Sequence, residues 1–353
     1  MITTEREKWN RQVANWLLLG VAMIIVQVLL GGITRLTESG LSITEWKPIT
    51  GTLPPLNDAD WQVEFDKYRN TDQFKYVHQN FSMHDFKFIF FWEWFHRVWA
   101  RLIGLVFLVG FVYFLVTRKL SRKMLIPFIL LFFLGAIQSA IGWIMVKSGL
   151  VPEKFYVGHI ELTTHFIAAL LLLAFTLWFA LKLNPTFEKK VYNTKLRRLL
   201  LFITVCFFVQ LIYGGFMAGL KAAASAPTWP TINGQWLPKS FNELSPFWKN
   251  LVNNKLLIHF IHRSLAYVLL AAILYFYLKS RNIAATKAFS AARQAIIVLV
   301  TVQVLLGILA LINATQPTAF VWIGVMHQFT AMLLLICITV LWFVVCKDKM
   351  MAG

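Results

Sequence analysis

The chain contains little that would suit a soluble or disulfide-stabilised protein. Only 14% of its 353 residues are charged, and only three are cysteines. Cys206, Cys337 and Cys346 all fall in apolar stretches and no two share a loop, which excludes a loop disulfide and a thiolate metal site. Acidic residues are also scarce, with 16 against 34 lysines and arginines, so the net charge is +18.

Most of the remaining sequence is apolar. A hydrophobic content of 58% and a mean hydropathy of +0.63 are typical of a polytopic membrane protein. About 20 apolar residues cross ~30 Å of hydrocarbon, and such spans are helical because lipid offers the backbone no hydrogen bonds. Eight stretches are long enough: 14–34, 88–117, 125–146, 159–182, 197–219, 256–278, 293–312 and 321–346. We therefore predict an all-α integral membrane protein with eight transmembrane helices in the lipid bilayer.

The positive charge predicts how these spans are oriented. Lysines and arginines concentrate in the two tails and in alternate loops, at 118–123, 189–198 and 279–293. Such loops stay on the cytoplasmic side, so both termini are predicted to lie there. The charge is thereby explained by topology, and nucleic-acid binding is not indicated. The outward loops are then 35–87, with half of the acidic residues, and 220–255; His78 and His84 in the first of them are predicted to be solvated.

Four histidines lie near the starts of the second, fourth, sixth and eighth spans. They form two repeating pairs, since His96 matches His262 at an offset of 166 residues and His165 matches His327 at an offset of 162. One such residue would favour an interfacial histidine bonded to a loop carbonyl, but four in matched positions favour ligation. Two histidines that face each other in a helix bundle are typical axial ligands of a heme iron. No Cys-x-x-Cys-His occurs, so covalent heme attachment is not expected.

The other four spans repeat a pattern as well. Gln-x-x-x-Gly occurs once in each, as Gln27–Gly31, Gln138–Gly142, Gln210–Gly214 and Gln303–Gly307. Either the glycine permits close helix packing while the glutamine bonds a neighbouring helix, or the missing side chain leaves room for a flat macrocycle. The repeat predicts two fused four-helix bundles, 1–190 and 191–353, related by a pseudo-twofold axis along the membrane normal.

One carboxylate distinguishes the two halves. Glu93 lies three residues before His96, whereas the position three residues before His262 is occupied by His259. A carboxylate beside only one candidate heme indicates proton-coupled chemistry at that site. The alternative is a plain ion pair between Glu93 and a nearby arginine.

Three arginines follow these histidines along the second and sixth spans: Arg97, Arg101 and Arg263. Arginine recognises carboxylates in a bidentate manner, so all three are candidates to bind heme propionates. Side chains that snorkel toward the outer surface are the alternative.

These motifs resemble the heme A synthase family over nearly the whole chain. The resemblance rests on Glu93-Trp94-Phe95-His96-Arg97, the span around His165, His262-Arg263 and Met326-His327-Gln328. It implies oxidation of the C8 methyl of heme O, through a hydroxymethyl intermediate, to the formyl group of heme A for cytochrome oxidase. It also implies that His262 and His327 hold a heme b cofactor, that His96 and His165 face the substrate heme, and that Glu93 lies near the reacting methyl.

The first outer loop indicates which branch of the family the chain resembles. One branch of the family has a cysteine pair there, but 35–87 contains none, so the chain resembles the cysteine-free type with a longer loop. The electron donor is left open. The resemblance implies heme O synthase and cytochrome oxidase assembly factors as candidate partners, in a bacterial or mitochondrial inner membrane. The alternative is a di-heme b-type protein that transfers electrons from quinol, which explains the four histidines but not the lost counterpart of Glu93.

Overall fold

The computed structural model describes residues 2–45, 50–184, 190–283 and 286–346. Eight helices in these ranges are long and apolar enough to cross a membrane: α1 (Ile2–Leu36), α4 (Met83–Val116), α5 (Arg122–Gly149), α6 (His159–Leu183), α7 (Thr194–Gly219), α9 (Lys255–Ser280), α10 (Lys287–Ile312) and α11 (Pro317–Val344). Each coincides with one predicted span, so the all-α fold with eight transmembrane helices is confirmed. Lys189, Lys347 and Lys349, which enter the orientation argument, lie outside the described residues.

The remaining elements lie between the spans. α2 (Asp58–Arg69) and α3 (Asp72–Tyr76) fold within the first outer loop, and α8 (Trp248–Asn253) precedes α9. Short 3-10 turns occupy Thr50–Thr52 and Ala222–Ser225. At the other end of the helices, β1 (Val191–Tyr192) pairs in parallel with β2 (Val345–Cys346). The prediction that Cys346 lies inside the eighth span is wrong, because the chain leaves α11 at Val344 to form this strand pair.

Local sequence sets where the helices begin. Ser82 and Asp85 form a capping box in which each side chain accepts a hydrogen bond from the other's backbone N–H, and α4 starts there. Asn193 and Asn254 cap α7 and α9 by accepting backbone N–H bonds. Because the box starts α4 at Met83, His96 lies 13 residues into the helix, about 20 Å at 1.5 Å per residue. This is deeper than the first turns in which the sequence prediction places it.

The main hydrophobic core joins the two predicted halves. α1 packs on α4, α6 and α11, while α7 packs on α6 and α9, and α10 on α9 and α11. The core contains fully buried side chains from several of these helices: Leu170, Leu200, Ile273, Phe276 and Leu341. The last span of each half thus contacts the first span of the other half. This reciprocal packing agrees with two bundles around a pseudo-twofold axis, although the division at residue 190 remains a prediction.

The first half is more open than the second. In their most apolar stretches, 6% of α4 and 11% of α5 is buried, against 33% of α9 and 22% of α10. α9 and α10 pack on each other along the helices, whereas α4 and α5 contact mainly through the rings of Phe107 and Phe111 on Phe128. A Cβ added at Gly104 or Gly135 would meet nothing within 4 Å, and the repeat puts Leu270 and Val300 at these positions in the second half. α4 and α5 are therefore packed more loosely than their counterparts α9 and α10.

Polar contacts join the halves at the outer ends of α1 and α7. The Arg35 guanidinium donates to the backbone carbonyls of Ala218 and Gly219, and Glu38 forms an ion pair with Lys221. At the 183-residue offset, Arg35 corresponds to Ala218 and Glu38 corresponds to Lys221. The contacts therefore link equivalent positions of the two halves, as expected beside a pseudo-twofold axis.

Candidate heme-ligand sites

Each Gln-x-x-x-Gly pattern faces one of the four predicted histidines on the following span. The four sets are Gln27–Gly31 with His96, Gln138–Gly142 with His165, Gln210–Gly214 with His262, and Gln303–Gly307 with His327. Glutamine and glycine share a helix face because they are four residues apart. The odd-numbered spans thus supply the surface against which the histidines of the even-numbered spans lie.

The glycines make room for the imidazole rings. A Cβ built on each glycine would lie close to the ring that faces it: 2.7 Å for Gly142, 3.1 Å for Gly307, 3.2 Å for Gly214 and 3.4 Å for Gly31. Carbon atoms in good contact are about 3.5–4.0 Å apart, so a side chain would displace the ring at most of these positions. Of the two interpretations of the pattern, close packing is the one observed; the space left by the glycine is filled by histidine.

The glutamines bond the histidines differently in the two halves. Nε2 of Gln27 donates to the backbone carbonyl of His96 (3.2 Å), and Nε2 of Gln138 donates to the backbone carbonyl of His165 (3.1 Å) while lying 3.2 Å from its Nδ1. In the second half the contacts run from the amide nitrogen to Nε2 of the ring, at 3.4 Å for Gln210 with His262 and 3.2 Å for Gln303 with His327. The carboxamide oxygen of all four glutamines is buried without a partner.

The structure brings the predicted histidines together in pairs. His96 and His165 lie close enough to interact electrostatically, as do His262 and His327. Both rings of the second pair carry a buried Nδ1 that lacks a hydrogen-bond partner. Among the described residues, no group of three or more His, Cys, Asp or Glu side chains is arranged to hold a metal ion. Two imidazoles per bundle, with glycine beneath each ring, suit an iron whose remaining ligands come from a porphyrin.

Glu93 is a buried carboxylate held in place on both sides. Its side chain is 2% exposed. Oε1 lies 2.5 Å from Nη2 of Arg97, while Oε2 accepts hydrogen bonds from the Ser42 hydroxyl (2.7 Å) and the Ile43 backbone N–H (2.9 Å). The ion pair with Arg97 that the sequence left open is therefore present, but it is buried rather than interfacial. Three hydrogen-bond donors thus compensate the two carboxylate oxygens for their removal from water.

The equivalent residue of the second half is also buried but lacks such support. His259 is 1% exposed and its Nδ1 has no hydrogen-bond partner. The two halves therefore share their histidine pairs and differ in chemistry one turn before the first histidine of each pair. The first half has a bonded carboxylate there, and the second has a neutral ring acceptor or donor.

Arg97 and Arg263 perform the same structural task in both halves. Arg97 donates to the backbone carbonyls of Ile43 and Glu45, and Arg263 donates to the carbonyls of Thr228, Pro230 and Thr231. Glu45 and Thr228 are equivalent at the 183-residue offset, so one bond is repeated. Each arginine thus holds the outer loop over its bundle instead of extending into water. Their predicted role as propionate ligands stays a prediction.

Arg101 lies beside Arg97 in a half-open cleft of about 240 Å³ on the outer side of the first half. Trp94, Phe90 and first-loop residues such as Leu53 form the rest of its wall. The indole N–H of Trp94 donates to the backbone carbonyl of Thr52, which fixes this wall to the loop. The carboxylates of Glu45, Asp60 and Glu64 line the same cleft, so it carries charges of both signs.

The first outer loop contains a buried polar cluster that the sequence analysis missed. The Tyr68 hydroxyl lies 2.6 Å from Nδ1 of His78, and Nε2 of the same ring lies 3.3 Å from Glu38, which pairs with Lys221. The prediction that His78 is solvated is wrong: it is 7% exposed and stacks on Phe81, beside an aromatic core built on α2 and the start of α4. The predicted exposure of His84 is confirmed.

Burial and neighbouring charges shift the pKa values of Glu38 and Tyr68 in this cluster. Burial alone would raise the pKa of Glu38, but the hydrogen bonds from His78 and Lys221, and the positive charge of Lys221, outweigh it and lower the pKa to about 2. Burial raises the pKa of Tyr68, and the negative charges of Glu93 and Glu38 raise it further. Glu38 is therefore a carboxylate at neutral pH, and Tyr68 is a neutral phenol that can donate a hydrogen bond.

Comparison with known proteins identifies the family. The profile of a family described as cytochrome oxidase assembly protein matches residues 14–339. A protein named heme A synthase from Flavobacterium johnsoniae is 40% identical over 94% of this chain and 97% of its own length. Proteins of the same name from Nitrosospira multiformis (37% identity; 94% and 93% covered) and Paracoccus denitrificans (38%; 90% and 85%) are similarly related.

The chain belongs to the heme A synthase family. The resemblance predicted from the motif around Glu93 and from the four histidines is thereby confirmed. As a heme A synthase family member with eight membrane-spanning helices, it is a multi-pass integral membrane protein. Sequence reasoning missed Ser42 as a partner of Glu93, because Ser42 lies outside the family motif. Ser42 is a loop serine 51 positions from Glu93, and only the fold brings the two together.

Proposed function

We propose that this chain is a heme A synthase that oxidises the C8 methyl of heme O, through the hydroxymethyl stage, to the formyl group of heme A. Relatives of that name along almost the full chain support the activity, and they favour it over a di-heme quinol-oxidising protein. The observation that carries the assignment of the site is Glu93. Its buried carboxylate accepts three hydrogen bonds and lies one turn before His96. The second half has no carboxylate at the equivalent position, which is His259.

The first half, 1–190, is proposed to take the substrate, between His96 and His165. A substrate must arrive and leave with each turnover, whereas a cofactor stays. The low burial of α4 and α5 and the open space at Gly135 support this assignment, since loosely packed helices would admit an apolar molecule from the bilayer. Arg97 and Arg101 at the outer cleft are then the candidates for the propionates of heme O, and Arg263 is the candidate in the second half.

The second half, 191–353, is proposed to hold heme b between His262 and His327. Its helices are closely packed, and the orphaned Nδ1 atoms of both rings and the glycines beneath them fit an imidazole-ligated porphyrin. When bound, heme b would supply one-electron redox chemistry to the neighbouring half.

Glu93 is proposed to handle protons at the reacting methyl. Oε2 already accepts two hydrogen bonds, whereas Oε1 accepts only that from Arg97 and so keeps one acceptor position. Oε1 is therefore the atom at which this residue would take up a proton. Arg97, Ser42 and Ile43 orient the carboxylate, and the loop that Arg97 holds over the bundle excludes water.

The proposal is tested by replacing Glu93 and extracting the pigments. Glu93→Gln keeps the shape of the side chain and Glu93→Ala removes it. Both variants, purified from a strain that lacks its own enzyme, are expected to keep heme b and to form little or no heme A. His262→Ala is the matched control and is expected to lose heme b. Normal heme A from both Glu93 variants would refute the role of the carboxylate, and two tightly bound hemes b in the wild type would instead indicate the electron-transfer protein.

The remaining proposals concern the orientation of the protein in its membrane and its partners. Both termini are placed on the cytoplasmic or matrix side of a bacterial or mitochondrial inner membrane by the charge distribution. Heme O synthase, which would deliver the substrate, and cytochrome oxidase assembly factors, which would receive the product, are the proposed partners. Reporter fusions at the loops 118–123 and 220–255 would test the orientation, because only the second is expected to be translocated.

A further inference from the structure

Four glutamines of the bundles have no role in the function proposed above. In all four the carboxamide oxygen is buried without a hydrogen-bond partner: Gln27, Gln138, Gln210 and Gln303. A buried carbonyl oxygen without a donor costs about 1–3 kcal/mol. For Gln210 and Gln303, whose amides bond no backbone carbonyl, this cost indicates that the oxygens acquire a donor in another state of the protein.

The second half shows where that donor is. Gln210 and Gln303 approach the rings of His262 and His327 through the amide nitrogen, and Nδ1 of each ring also lacks a partner. A neutral imidazole has one N–H and one lone pair. An amide nitrogen can donate only to the lone pair, which is the same pair of electrons that an iron would take. The contact with Nε2 therefore leaves the ring N–H on Nδ1, where it has no acceptor, and leaves no lone pair of the ring free for an iron.

A half-turn of the carboxamide resolves both conflicts. The terminal torsion of glutamine is soft and roughly two-fold, so the amide oxygen and nitrogen exchange places at little cost. An oxygen in the place of the amide nitrogen accepts the N–H of Nε2, and the lone pair of Nδ1 becomes free for an iron. Ligating histidines regularly donate their second N–H to such an acceptor, which fixes the tautomer and makes the imidazole a stronger ligand.

We propose that Gln210 and Gln303 are positioning residues that accept the ring N–H of His262 and His327 when these histidines ligate heme b, and that they thereby lower the reduction potential of the heme. The inference deepens the proposed function and rests on its assignment of the cofactor to the second half. The first half provides the contrast. The amide nitrogens of Gln27 and Gln138 donate to the backbone carbonyls of His96 and His165, which holds the nitrogen end of each amide in place.

The test is a redox titration of heme b in purified full-length protein. Gln303→Leu removes the acceptor, and Gln303→Glu, of nearly the same shape, replaces it with a stronger one. We expect Leu to favour reduced heme and Glu to favour oxidised heme, each by about tenfold at a fixed potential, or about 59 mV for a one-electron couple. A purely structural role would move both variants in the same direction. Gln210 variants are expected to behave alike, and Gln27→Leu, the matched control, is expected to leave the titration of heme b unchanged.

The possible results distinguish a failure of this inference from a failure of the proposed function. Opposite shifts support the inference, whereas shifts in the same direction, or none, overturn it. If Gln303→Leu binds no heme, Gln303→Glu decides alone, and an unchanged or raised potential in that variant refutes the proposal. If wild-type protein holds no heme b, or keeps it in His262→Ala, the assignment of the cofactor fails instead. The heme absorbance and the melting temperature of each variant show whether it is folded and loaded.

Discussion

Replacing Gly142 by alanine is expected to disable the first site while leaving the second intact. The added Cβ would lie 2.7 Å from Cε1 of His165, whereas carbon atoms in good contact are about 3.5–4.0 Å apart. The ring must therefore move by roughly 1 Å. It cannot do so freely, because Gln138 contacts both the ring and the backbone carbonyl of His165.

The size of the effect follows from the overlap. Overpacking of this kind costs about 1–3 kcal/mol, which corresponds to roughly 5- to 150-fold in a binding equilibrium. The Gln-x-x-x-Gly pattern supplies a matched comparison within the first half, since Gly31→Ala is the same change on the helix that faces His96. Its Cβ would lie 3.4 Å from Nε2 of that ring, so the cost is expected to be much smaller. Gly20→Ala, 3.7 Å from a methyl group of Thr176, serves as a control without overlap.

The assay measures heme A formation and heme b content side by side in a strain that lacks its own enzyme. Gly142→Ala is expected to lower heme A formation about tenfold or more and to retain heme b. Gly307→Ala, with its Cβ 3.1 Å from Cε1 of His327, is expected to lower heme b content first. Full activity of Gly142→Ala, or equal losses in Gly142→Ala and Gly20→Ala, would refute the reasoning that glycine is required by the ring.

Three other changes test separate features. Ser42→Ala removes one hydrogen bond to the Glu93 carboxylate, worth about 1.5–3 kcal/mol, and is expected to slow heme A formation about tenfold or more at unchanged heme b content; wild-type rates would contradict the positioning role. Gly135→Val, which copies Val300, is expected to fill the open space beside Gly135 and reduce heme A formation but not heme b binding, whereas full turnover would show that this space is not used. Glu38 has its pKa lowered from 4.5 to about 2 in the fold, so it stabilises the protein above pH 4.5 and loses this contribution as the pH falls toward 2. Thermal melting across that range should therefore fall less steeply for Glu38→Gln than for the wild type, and equal slopes would count against the low pKa.

Elements that depend on local pattern could be predicted from the sequence. The spans follow from runs of apolar residues, because lipid enforces helices wherever such a run is long enough. The pairing of His96 with His165 and of His262 with His327 follows from the internal repeat, since matched positions in fused bundles occupy matched places. The prediction of an ion pair between Glu93 and Arg97 needs only their spacing of four residues on a helix.

What could not be predicted depends on contacts distant in the chain. Ser42 reaches Glu93 only because the first outer loop folds back onto α4, and the polar appearance of that loop conceals its aromatic core. His78 was expected in water for the same reason. His96 lies farther from the start of α4 than the predicted span 88–117 implies, because apolar content marks the lipid-embedded part of α4, while the capping box at Ser82 and Asp85 extends the helix beyond it.

The contact between Glu38 and Lys221 has a consequence for how such a molecule can arise. In a dimer of identical four-helix subunits, a position on the twofold axis faces its own copy, so a glutamate there would meet a glutamate and repel it. Joining both subunits in one polypeptide removes that constraint, because each copy of the position then mutates independently. Opposite charges at Glu38 and Lys221 are therefore an arrangement that two identical subunits could not have, and the same freedom allows one bundle to keep Glu93 while the other has His259.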